Sequence, residues 1–83
     1  MIVITVADHA NKLLSEEVAK IFRAEGHTVF VKDDGKVLAI PSADKIDILT
    51  RWKLAGIKKT EHCSSDNFNP SAEGFVDAES FFV

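Results

Sequence analysis

Apolar residues recur along this chain in two rhythms. Ile2-Val3-Ile4-Thr5-Val6 is β-branched throughout and predicts a strand; its apolar residues at consecutive positions predict a central one, covered on both faces. From His9 to Glu25 the apolar positions are Ala10, Leu13, Leu14, Val18, Ile21 and Phe22, the spacing of one helical face. Asp8 stands where it can cap that helix, and Gly26 stands where a left-handed residue would stop it. Lys12–Glu16 and Glu16–Lys20 lie four apart on its wet side. Thr28–Lys32 and Lys36–Ile40 then alternate like strands around Asp34-Gly35, a dipeptide suited to the two positive φ angles of a type I′ turn. Pairing across that turn sets Val31 opposite Leu38 and Val29 opposite Ile40 on one apolar face. Phe30, Lys32, Val37 and Ala39 fall on the other, more mixed face.

Pro41-Ser42 ends the strand. Ser42 as N-cap and Asp44 in the first turn predict a second helix, with the stripe Ile46, Ile48, Leu49, Trp52 and Ala55 and a stop at Gly56. Ile57 to Cys63 predicts a last short strand. The order β-α-β-β-α(-β) predicts an α+β two-layer sandwich, and its simplest closed form is ferredoxin-like, both helices on one face of an antiparallel sheet. At 83 residues the chain has room for one domain. Residues 1–63 form its body and 64–83 a C-terminal extension, packed on that body or free. A scaffold of this kind serves many unrelated functions and assigns none.

Charge divides the chain more sharply than hydropathy does. Thr60 to Val83 holds five acids (Glu61, Asp66, Glu73, Asp77, Glu79) and no Lys or Arg, with four of the six Phe: Phe68, Phe75, Phe81 and Phe82. The first 59 residues hold eight acids and ten bases. Acids that steer and aromatic rings that anchor are what basic, greasy grooves select. This acidic, Phe-ending tail resembles the C-terminal tails with which single-stranded DNA-binding proteins recruit partner enzymes, in character and not in motif. The competing expectation is structural: Phe75 to Val83 packs on the protein's own sheet, as an extra edge strand or as a wrap over the open face.

Other chemistry finds few candidates. His62, Cys63, Asp66 and His9 or His27 lack the paired spacing of a zinc site, so no metal is expected. A lone cysteine is most often a small buried hydrophobe, and Cys63 beside His62 has the wrong geometry for a nucleophile dyad. Asp33-Asp34 is explained by its turn, and Asp44 and Asp47 by capping and solvation. No glycine loop cradles phosphate, and no cofactor is expected. The strands that would be central in an RNA-recognition sheet carry no aromatic residue. Arg51, Lys53, Lys58 and Lys59 could contact nucleic acid, although cations near a helix end also complement its dipole.

The single cysteine allows no intrachain disulfide, the start of the chain does not read as a signal peptide, and no stretch reaches the ~20 apolar residues of a membrane span. The expectation is a cytoplasmic, non-enzymatic protein without a membrane partner. It would bind another protein at a basic surface, through Phe75, Asp77, Glu79, Phe81 and Phe82, with Asp66 and Glu73 as steering charges. In size, charge and lack of catalytic motifs it looks like the small regulators and inhibitors that bacteriophages and mobile elements make. Nucleic-acid binding by the basic patch is the alternative, and a homodimer is compatible with either.

Overall fold

Alternation of burial along the first strand sets up the whole core. In β1 (Ile2–Val6), Ile2, Ile4 and Val6 are buried while Val3 and Thr5 are half-buried. The run is apolar at four of five positions, yet only one face is sealed. The computed structural model describes residues 1–7, 11–44 and 56–82, and only the backbone of 11–13. Within these it is a small α+β structure: a five-stranded antiparallel sheet and two helices, α1 (Asn11–Ala24) and the single-turn α2 (Ala78–Phe81). Asp8, His9, Lys45 to Ala55 (with the second-helix stripe, Trp52, Asp47, Arg51 and Lys53) and Val83 lie outside the described residues.

The remaining strands are β2 (Phe30–Lys32), β3 (Val37–Ile40), β4 (Ile57–His62) and β5 (Val76–Asp77). Their order across the sheet is β4-β1-β3-β2-β5. β1 is therefore internal, as its composition predicts, pairing β3 on one side and β4 on the other. Val18, Ala19 and Phe22 of α1 pack onto the sheet face made by Ile2, Ile4, Val6, Val31, Leu38 and Ile40. Burial of each large side chain among them stabilises the fold by about 1.5–3 kcal/mol.

Two local signals are realised in detail. Gly26 has φ +93°, and the amides of Gly26 and His27 donate to the carbonyls of Arg23 (3.0 Å) and Phe22 (3.1 Å), the paired bonds of a Schellman stop. The Phe22 and His27 rings meet edge-on across it, with centroids 6.0 Å apart. At the hairpin, Asp34 (φ 58°) and Gly35 (φ 89°) are both left-handed and the Lys36 amide donates to the Asp33 carbonyl at 3.2 Å, a type I′ turn. The register is the expected one: Val31 faces Leu38, with Phe30 on Ala39 and Lys32 on Val37. Asp33 also sits at φ 53°, so three consecutive residues are left-handed. Ser15, on the apolar side of α1, is fully buried and its hydroxyl donates to the Gly35 carbonyl, which ties the helix to the turn.

β4 ends in a reciprocal pair of bonds. The N-terminal ammonium donates to the Cys63 carbonyl and the Cys63 amide donates to the Met1 carbonyl, each at 2.9 Å. Cys63 itself is exposed, not buried. It follows an edge strand whose residues are themselves mostly exposed.

Candidate functional site

After Cys63 the chain folds by turns. The Ser64 hydroxyl accepts from the Asp66 amide (3.3 Å), and the Asn69 side chain accepts from the Ala72 amide (3.4 Å). The Phe75 amide then donates to the Pro70 carbonyl at 2.8 Å, with Gly74 at φ +83° reversing the chain between them. This loop carries Phe68 to the open face of the sheet. Its ring lies edge-on to Phe30 (5.9 Å) and to Phe75 (5.5 Å), and the Lys32 ammonium sits 4.7 Å from the centre of the Phe75 ring. A cation over an aromatic face is attractive by about 0.5–2 kcal/mol.

The extension then joins the sheet. β5 lies along the outer side of β2, Val76 opposite Val31 and Asp77 opposite Phe30, and the Ala78 amide donates to the Val29 carbonyl at 2.9 Å. Asp77 caps α2: its carboxylate accepts from the Glu79 amide at 2.8 Å. Phe81 and Phe82 cross at 4.9 Å and pack against the core as half-buried rings. A Cβ placed on Gly35 would stand 3.3 Å from the Phe81 ring, so the hairpin turn and the end of the chain fit against each other directly.

The seven residues marked from the sequence differ in how they are placed. Phe75 is turned inward, 7% exposed, while the next residue, Val76, is half exposed. Alternation sets Val76 on the face of its partner Val31 and Phe75 on the opposite face, where Phe68 and Lys32 cover its ring. Asp66, Glu73, Asp77 and Glu79 are all exposed. Three of these acids split between two shallow clefts of mixed sign. Asp77 and Glu79 border one of about 260 Å³ with Arg23 and His27, where Glu79 lies 3.8 Å from Arg23. Glu73 borders another of about 390 Å³ on the open sheet face, with Glu61, Lys32, Val3, Val37 and Phe68.

Among the contacts with no counterpart in the sequence reading are Lys32 on Phe75, Ser15 on Gly35, and His27 Nδ1 at 2.7 Å from the Ser42 hydroxyl, which sequence spacing assigns to a helix cap. Of the basic patch, Lys58 and Lys59 are exposed on β4. Glu61 engages the Lys59 ammonium at 2.5 Å, and that hydrogen bond, then its charge, raises the lysine's pKa. The ion pair therefore holds while the lysine is protonated and is lost only as the pH climbs through the raised value. Among the described residues no group of three or more His, Cys, Asp or Glu side chains is placed so that it could hold a metal ion. No described helix is long and apolar enough to cross a membrane.

Among the described residues the arrangement offers two clefts with both charges, one exposed large apolar residue, Val76, and a six-residue edge strand. Set against known proteins, the chain matches no family model, no curated protein and no solved structure.

Proposed function

We propose that this is a small, non-enzymatic protein-binding regulator or inhibitor, cytoplasmic and of the bacteriophage or mobile-element kind, which offers an acidic edge to a basic site on a partner. Its body is read as ferredoxin-like: the order β4-β1-β3-β2, with α1 linking β1 to β2 on one face, supports that reading. The observation that carries the function is Val76. It is a large apolar side chain half exposed on an edge strand, flanked in sequence by the exposed carboxylates Glu73, Asp77 and Glu79. An exposed apolar side chain on a strand that also carries an exposed carboxylate supports a protein-binding reading. Phe81 and Phe82 are half-buried against the core, and Phe75 is covered by Phe68 and Lys32. The alternative, nucleic-acid contact through Lys58 and Lys59, has weaker support because Glu61 already holds Lys59.

The test must not disturb the fold, so Asp77, which caps α2, is left in place. A Glu73→Lys, Val76→Ala, Glu79→Lys variant should melt within about 0.5 kcal/mol of the parent. It should no longer retain the proteins that the parent captures from its native cells. Equal capture by both would remove the reading. Loss of capture by a Lys58→Gln, Lys59→Gln variant instead would favour the alternative.

A further inference from the structure

The sheet has two edges of unequal kind. β5 contributes two residues and α2 begins at once, so that edge is short and closed by a helix. β4 runs over six residues, Ile57–His62, and is outermost, its inner side committed to β1. In an antiparallel ladder alternate residues bond to the inner neighbour, so the residues between them aim their N–H and C=O groups outward.

The side chains of that edge are their own complement. Antiparallel pairing of two β4 strands about Thr60 sets Lys59 of each copy opposite Glu61 of the other. Both side chains lie on one face of the sheet, since they pair with Thr5 and Val3 of β1. Within one chain they already meet at 2.5 Å. Two copies would thus alternate four charges across the junction. Thr60 would face Thr60 on the other side of the sheet, a favourable β-branched cross-strand pair. Moving the axis one residue either way opposes Lys59 to Lys59 or Glu61 to Glu61, and directly facing like charges are destabilising. The register shift between Thr5 and Val6 leaves Lys58 as an extra residue on β4. That bulge ends the regular edge just beyond the segment that would pair.

We propose that the protein forms a symmetric dimer through β4, two sheets continuing into one about a two-fold axis at Thr60. A two-fold interface must be self-complementary, and this register is. The two β5 edges then lie at opposite ends of the joined sheet, so the dimer stands or falls separately from the acidic docking edge.

Sedimentation of the full chain over a dilution series up to about 1 mM should show a reversible dimer. Lys59→Glu and Glu61→Lys should each weaken it by about tenfold or more, and the double exchange Lys59→Glu, Glu61→Lys should restore it. Thr60→Cys in a Cys63→Ser background should cross-link on mild oxidation, because opposed Cα atoms about 4.5–5.5 Å apart are within disulfide reach. Circular dichroism of each variant at low concentration checks that the chain is folded. A monomer at every concentration overturns the proposal. So does a dimer indifferent to the single charge reversals, or one in which the Thr60→Cys chains do not cross-link.

Discussion

The described part of the body and the C-terminal segment are held by different physics. In the body, each element carries its own instructions. The α1 stripe, the Gly26 stop and the Asp34-Gly35 turn are local signals, and each is realised where it stands. In residues 64–82, helix and strand are too short to persist alone: β5 has two residues and α2 four. A single helical turn is unfavourable in isolation. This segment is ordered by what it touches, namely the outer side of β2, the Val29 carbonyl, the Lys32 ammonium and the hairpin turn. An acidic, aromatic sequence can thus be part of the fold and still keep its carboxylates in water.

Four substitutions would sharpen or break that contrast. Phe22→Ala removes a ring that is 2% exposed at the centre of the core and should cost about 3–5 kcal/mol, lowering the denaturation midpoint of the whole chain. Gly35→Ala should cost about 2 kcal/mol, since its φ of +89° strains any side chain and its Cβ would press on Phe81. Combining it with Phe81→Ala relieves the pressure but not the strain, so the pair should cost less than the sum of the two. Strict additivity would mean that turn and tail are not in contact. Next in size, Asp77→Ala should cost about 1 kcal/mol, and Asp77→Ser should recover most of it. Hydrogen exchange should show the loss at the Ala78 and Phe82 amides while β1 and β3 stay protected; equal loss everywhere would make the segment inseparable from the body. Lys20→Gln, which removes the 3.4 Å pair with Glu16 on the wet side of α1, should change stability by less than about 0.5 kcal/mol by the same melt.

Much of the body is legible in the sequence because its signals act over a few residues. The hairpin register follows from one turn, and the helix stop from one glycine. The candidate site residues are less legible. Phe75 reads as an anchor because ring size says how much a side chain gains from burial, not whose surface buries it; Phe68 and Lys32 provide that surface from elsewhere in the chain. Val76 does not stand out because one valine carries no pattern. Cys63 is expected inside on the habits of its residue type, and it lies outside because it ends an edge strand.

By itself the sequence determined the rhythm of the elements, the type I′ turn, the helix stop and the division into a mixed-charge body and an acid-only end. Those depend on backbone preferences and spacing within a few residues. Only the tertiary structure decided that Val76 and Asp77 lie against β2, that Phe68 and Lys32 cover Phe75 while Val76 stays half exposed, and that Glu73 borders one cleft while Asp77 and Glu79 border another. Those outcomes depend on which sheet edge and which core surface the rest of the fold leaves open, and residues far apart along the chain, such as Val31 with Val76 and Phe30 with Phe68, set that together.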